Sequence, residues 1–180
     1  MFALVEVLGD ALDPSVRKDL VRRRGVRQVR GRLDGIGRVH GDADAQALDE
    51  AIVGDDVFDR DLQALGRAID TDRSVLVVGE PGSGRTARLR ALGAGLARRG
   101  WLVFEAGATE INAGQSYIGE LEAQVQRIVK ALDGAPVLWI IPRFEELLWT
   151  GTHRHSRTGI LDMVLQGMEG AELHLSLIHI

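Results

Sequence analysis

The sequence contains no cysteine in its 180 residues. Disulfides, thiolate metal sites and cysteine nucleophiles are therefore excluded, and a cytoplasmic location is expected. Long apolar runs are also missing, because wholly apolar stretches such as Val137 to Ile141 are only a few residues long. A transmembrane helix needs roughly 20 such residues, so no membrane span is predicted. Residues 1–10 carry Glu6 and no basic leader, so a signal peptide is not expected either.

Lysine is scarce, because only Lys18 and Lys130 are lysines among the 22 Lys and Arg residues. An arginine can therefore stand where related proteins have lysine. The 26 acidic residues give a net charge of −4, which does not favour a nucleic-acid partner. Hydrophobic residues at 45% and charged residues at 27% are typical of a globular chain rather than a disordered one.

Residues 1–50 have the weakest pattern and are predicted to be a poorly defined N-terminal segment. Phe2 to Leu8 fits a short strand, and Ser15 to Arg24 has apolar residues on one helical side. Gly25 to Gly41 is rich in arginine and glycine. This composition favours a solvated helix and loop over the alternative, a surface that docks a partner.

A regular alternation of helices and strands begins after residue 51. Strands that alternate with helices predict a parallel sheet with helices on both faces. The loop at 147–159 contains His153 and His155 without a third ligand, so exposed histidines are expected there rather than a metal site. The pattern predicts strands at 74–78, 101–105 and 137–141, helices at 55–69, 85–98, 118–132 and 160–168, and another loop at 106–116.

A glycine-rich motif lies between the first of these strands and its helix. It follows the phosphate-loop pattern G-x-x-x-x-G-K-[ST], except that Arg85 replaces the lysine. The glycines allow backbone N–H groups to face an anion, and the helix start adds its positive dipole end. Thr86 is placed to hold Mg²⁺ through its hydroxyl, and ATP or ADP with Mg²⁺ is the expected cofactor. The predicted cofactor-binding residues are Gly79, Glu80, Pro81, Gly82, Ser83, Gly84, Arg85 and Thr86.

Three segments in this order resemble the nucleotide-binding module of Clp-type AAA+ unfoldases and disaggregases. They are Ile52 to Gly54, Val75 to Gly82 and Tyr117 to Glu122. The resemblance implies a partial AAA+ domain over 51–172, a three-layer α/β/α P-loop NTPase fold that is incomplete at the C-terminus. It also implies an ATP-dependent protein-remodelling machine that forms a homo-hexamer, with Tyr117 on a pore loop that grips a polypeptide substrate. The alternative for Tyr117 is an ordinary residue at a helix start.

The same resemblance implies an Asp-Glu pair directly after the strand at 137–141, which would hold Mg²⁺ and polarise the attacking water. Pro142 and Arg143 stand there instead. Glu145 and Glu146 follow slightly later and are the candidate substitutes. Because Arg85 is also not equivalent to lysine, hydrolysis is predicted to be impaired. The alternatives are a non-catalytic AAA+-derived scaffold or interaction module that binds no nucleotide, and another P-loop enzyme such as a kinase.

Residues 173–180 are predicted to be a non-native tail outside the folded unit. The segment His174 to Ile180 alternates polar with apolar residues and resembles translated sequencing-adapter read-through. The chain is therefore expected to be a fragment that lacks the rest of the sheet and the helical lid of the Clp-type family.

Overall fold

The structure is a computed structural model, and it describes residues 25, 27–41, 55–71, 74–115, 118–151, 159–168 and 174–178. The interpretations of Phe2 to Leu8 and of Ser15 to Arg24 lie outside these residues. The same holds for Tyr117, His153 and His155, so the pore-loop and exposed-histidine interpretations stay predictions.

Within the described residues, helices and strands alternate along most of the chain. No helix in these ranges is both long enough and apolar enough to cross a membrane. The elements are α1 (27–33), β1 (Arg38–His40), α2 (Asp56–Asp70), β2 (Val75–Val77), α3 (Arg85–Arg98), β3 (Leu102–Glu105), α4 (Ala108–Asn112), α5 (Ile118–Leu132), β4 (Val137–Ile141), α6 (Glu146–Trp149), α7 (Ile160–Met168) and β5 (His174–Ile178).

The five strands form one mixed sheet in the order β1-β3-β4-β5-β2. The four strands β3, β4, β5 and β2 are parallel to one another, whereas β1 pairs antiparallel with β3. The chain is therefore an α/β protein, as predicted, but the expectation of a purely parallel sheet is wrong. Strand β1 has only three residues, too few to give an alternating pattern that marks a strand in the sequence.

Strand β4 carries the core, because all five of its residues are buried. Its side chains alternate between the two faces of the sheet. Trp139 and Ile141 pack with α1, α5 and α7 in one apolar cluster, whereas Leu138 and Ile140 pack with α2 and α3 in a second cluster. Helices therefore cover both faces of the sheet at its centre.

Helix α1 belongs to the first of these clusters. Val29 and Leu33 are buried there together with Leu102 and Phe104 of β3. The interpretation of Gly25 to Gly41 as a solvated helix and loop is therefore wrong for this side of α1. The many arginines concealed the two apolar positions, which are four residues apart and so lie on one face of the helix.

Helix α2 begins as the sequence indicates, because the Asp55 carboxylate accepts a hydrogen bond from the Phe58 backbone N–H at 2.8 Å. Two short helices replace parts of the predicted loops. Helix α4 lies within 106–116, and α6 covers the start of 147–159. Helices of four or five residues contain barely one turn, so they leave no period that a sequence pattern could show.

Strand β5 lies inside the sheet, between β4 and β2. Leu175 is the partner of Trp139, and Leu177 is the partner of both Ile141 and Leu76. The expectation that this segment lies outside the folded unit therefore differs from the structure. That residues 173–180 are non-native to the chain is a separate statement and stays a prediction.

Deletion of residues 174–180 tests the role of β5. Because β5 joins β2 to β4, we expect the thermal midpoint to fall by more than about 10 °C, which corresponds to a loss of a few kcal/mol in a domain of this size. Deletion of His179 and Ile180 alone is the control and should leave the midpoint unchanged. An equal midpoint for both deletions, measured by circular dichroism, would favour the non-native tail.

Candidate phosphate-binding site

The glycine-rich turn follows β2 and leads directly into α3. Gly82 and Gly84 have φ values of 81° and 77°, a left-handed conformation that favours glycine. The backbone N–H of Ser83 donates to the Glu80 carbonyl at 3.1 Å, which closes the turn. A Cβ at Gly79 would lie 2.8 Å from the Ser83 Oγ, so a side chain there would require the exposed Ser83 side chain to turn away. The turn therefore has the left-handed glycines that are typical of anion-binding loops.

The side chains of the motif differ in their exposure to solvent. Arg85 is only 8% exposed, and its Cδ lies 3.6 Å from the position of a Cβ at Gly79. Its side chain is therefore folded back along the turn. Thr86, Glu80, Pro81 and Ser83 are exposed. The exposed Thr86 sits at the start of α3, as predicted.

Pro142 and Arg143 follow β4 directly, so neither lies inside the strand. Arg143 is the only non-glycine residue of the described ranges with a positive φ, at 49°. Its Nε donates to the Glu146 Oε1 at 2.8 Å. Glu145 lies in the half-buried turn before α6. The edge of the sheet after β4 thus presents a cation where a metal-binding carboxylate was expected.

The sheet register shows how the two halves of the site are placed. Val77 is the partner of Ile178, and Ile141 is the partner of Leu177, so β2 and β4 end at the same edge. With β5 between them, these strand ends lie about 10 Å apart, two interstrand spacings. The glycine turn and the Pro142–Arg143 segment therefore lie at the same edge of the sheet. They follow strands that are not neighbours, because β5 lies between β2 and β4.

A cleft of about 230 Å³ lies at this edge beside β3 and β4, and two arginines and two glutamates line it together with Pro142. The Glu110 Oε2 accepts from the Gly107 backbone N–H at 2.9 Å, which fixes the start of α4. Glu105 lies 3.9 Å from the His40 Nε2. The lining residues are Arg38, Glu105, Glu110, Pro142 and Arg143.

That Thr86 holds Mg²⁺ together with a bound nucleotide stays a prediction. Magnesium in nucleotide sites is usually held by one or two carboxylates together with waters and phosphate oxygens. The described residues contain no group of three His, Asp or Glu that could hold a metal. Thr86 offers one hydroxyl, and Glu146 is paired with Arg143. Backbone N–H groups of a glycine turn can bind a phosphate group without a metal, so the predicted phosphate contact at residues 79–86 does not depend on such a cluster.

One residue near the turn was not singled out by the sequence. Arg88 lies on the first turn of α3, and its Nη1 donates to the Ser83 carbonyl at 2.7 Å. Its Nε donates to the Asp61 Oδ2 of α2, also at 2.7 Å. Asp61 and Arg88 are 27 residues apart, so no local pattern could have linked them.

No family model and no curated protein matches the chain. Among solved structures, the chain is similar to a chain of the E. coli MS115-1 HORMA:CdnC:Trip13 complex, with a TM-score of 0.52 and 20% sequence identity. The match covers 79% of this chain and spans 61% of the length of the other. The likeness shows the fold alone.

These comparisons correct the assignment made from the sequence. The prediction of a Clp-type AAA+ unfoldase or disaggregase module, a chaperone, is wrong: no family model and no curated protein of that kind matches, and a solved structure to which the chain is similar belongs to the HORMA:CdnC:Trip13 complex. The resemblance depended on short segments around Gly79 and Tyr117. A glycine-rich turn before a helix is a general solution for holding an anion, so it does not specify one family.

The backbone at Arg143 gives a testable stability difference. Arg143→Gly and Arg143→Ala both remove the pair with Glu146, but only glycine relieves the left-handed backbone. We expect the glycine variant to be more stable by about 1 kcal/mol in urea unfolding. The pair itself is about half exposed and should contribute less than about 1 kcal/mol, which Glu146→Gln measures. Equal stability of the glycine and alanine variants would contradict the assignment of strain to this residue.

Proposed function

We propose that the chain is a three-layer α/β/α, P-loop-type domain that acts as a non-catalytic interaction module in a protein complex. The observation that carries this proposal is Arg143. Arg143 is the second residue after β4, and its Nε lies 2.8 Å from the Glu146 carboxylate, which holds the guanidinium in place. A cation at this place disfavours a bound metal ion by charge repulsion.

Phosphoryl transfer depends on electrostatic stabilisation and positioning, which carboxylate-bound Mg²⁺ and a water-orienting residue normally supply. Pro142 offers neither function, because its side chain has no polar atom. Glu146, one of the two candidate substitutes, already pairs its charge with Arg143. These contacts support the proposal that the domain does not hydrolyse a nucleotide at the glycine turn.

Two observations support a role in a protein complex. The structural neighbour is part of the HORMA:CdnC:Trip13 complex and so has protein partners. The described part of this chain also exposes large apolar side chains, with Trp149 at 75% and Val78 at 64%. Exposed aromatic residues are enriched in protein contacts. A hexamer and a translocated polypeptide, which only the Clp resemblance implied, are not part of this proposal, and a cytoplasmic location stays a prediction.

A phosphate-release assay with ATP and Mg²⁺ tests the absence of catalysis. We expect no turnover above background in the unmodified protein and none in Arg85→Lys, because the lysine alone does not supply a metal ligand. The comparison is a triple variant that adds Pro142→Asp and Arg143→Glu to Arg85→Lys. It contains the missing carboxylates, so we expect it to gain Mg²⁺-dependent turnover. Robust hydrolysis by the unmodified protein that disappears in Thr86→Ala would contradict the proposal.

A second candidate function is metal-independent binding of the phosphates of ATP or ADP at the glycine turn. The left-handed Gly82 and Gly84 and the 14-residue helix α3 directly behind them favour it. Backbone N–H groups and the helix dipole would supply the attraction, and Arg85 is the adjacent cation.

Titration calorimetry with ADP checks this second function, with adenosine as the control that lacks phosphates. We expect ADP to bind and adenosine not to bind. Removal of Mg²⁺ with a chelator should change the Kd by less than about twofold, or about 0.4 kcal/mol, because no metal site contributes. Equal binding of both compounds would contradict recognition of the phosphates, and binding of neither would leave the scaffold that binds no nucleotide as the better description.

A further inference from the structure

Arg88 makes three contacts, one with the glycine turn and two with α2. Its Nη1 donates to the Ser83 carbonyl at 2.7 Å, and its Nε donates to Asp61 of α2 at 2.7 Å. Its guanidinium carbon also lies 5.2 Å from the centre of the Phe58 ring. The side chain is largely buried, whereas Asp61 is about half exposed. One planar cation thus joins the turn, α2 and α3.

We propose that Arg88 is the positioning residue of the phosphate turn, which it holds in an anion-accepting shape and ties to α2. This inference rests on the second function proposed above. An anion-binding turn must present N–H groups to the ligand and keep carbonyl oxygens away from it, because a carbonyl dipole repels an anion. The hydrogen bond from Arg88 directs the Ser83 carbonyl towards α3.

The geometry requires arginine at this position. The planar guanidinium donates through two different edges, to Ser83 and to Asp61, while its face lies over an aromatic ring. An ammonium group is a compact charge on a flexible stem and cannot keep the same three contacts. Lysine at position 88 should therefore not substitute for Arg88.

The partners of Arg88 are themselves fixed. Phe58 is buried in α2, whose first turn is held by the Asp55 carboxylate at 2.8 Å from the Phe58 N. On the other side, a Cβ at Gly84 would lie 3.0 Å from the Arg88 Nη1. The guanidinium therefore lies against the backbone of the turn at the residue that precedes α3. A shift of α2 is expected to move the turn through Arg88.

Amide hydrogen exchange at residues 82–85, without any ligand, tests the inference independently of nucleotide binding. The variants are Arg88→Ala and Arg88→Lys, with Arg90→Ala as the matched control from the exposed side of α3. We expect exchange at the turn to rise by about tenfold, or about 1.4 kcal/mol, in both Arg88 variants and to stay unchanged in the control. ADP affinity should fall by a similar factor.

Two outcomes would overturn the proposal. One is an unchanged exchange rate at the turn in Arg88→Ala. The other is an increase spread evenly over all helices, which would indicate a general packing role. If the unmodified protein binds no ADP, the nucleotide function fails, but the exchange comparison still decides the role of Arg88.

Asp61→Asn provides a second route if the Arg88 variants do not fold. It keeps Arg88 and the side-chain shape but removes the charge that orients the guanidinium. A smaller increase in exchange, confined to residues 82–85, would support the coupling to α2. No local increase in this variant would overturn that coupling. Gly84→Ala and Gly82→Ala add a matched comparison, because only the first brings a methyl group to 3.0 Å from Arg88.

Discussion

The indole of Trp139 lies at the centre of the domain, where its Nε1 donates to the Ala106 carbonyl at 3.0 Å. Its ring also packs at a tilt against Phe104, with 5.7 Å between the ring centres. Trp139 is the middle residue of β4, the strand whose five residues are all buried. A strand buried on both faces requires helices on both sides, and every other layer of the molecule follows from that requirement.

The same constraint limits where a ligand can bind. With both faces of the central strands covered, the open backbone and polar side chains collect at the carboxyl edge of the sheet, as in other open α/β sheets. The glycine turn after β2 and the Arg143 segment after β4 both lie at this edge. Charged side chains of both signs collect there, because Arg38, Glu105, Glu110 and Arg143 line the cleft at this edge.

Much of the fold could be predicted from residue patterns. The apolar run of β4, the amphipathic α5 and the capping Asp55 are local features, and each lies where the sequence indicated. Strand β1 and the two apolar residues of α1 were missed, because an arginine-rich, three-residue strand and a short helix carry almost no period. Short motifs also suggested the wrong family, because the turn that holds an anion recurs in unrelated proteins.

The sequence by itself determined the longer elements after residue 55 and the turn: glycines at 82 and 84 specify a left-handed backbone, and Pro142 ends a strand because it lacks an N–H donor. Only the tertiary structure decided what surrounds them. It placed β5 between β2 and β4, so that the two ends of the site are separated by a strand. It also brought Arg88 to Asp61 and Ser83. Contacts between residues far apart in the chain depend on strand order and helix packing, which no local pattern contains.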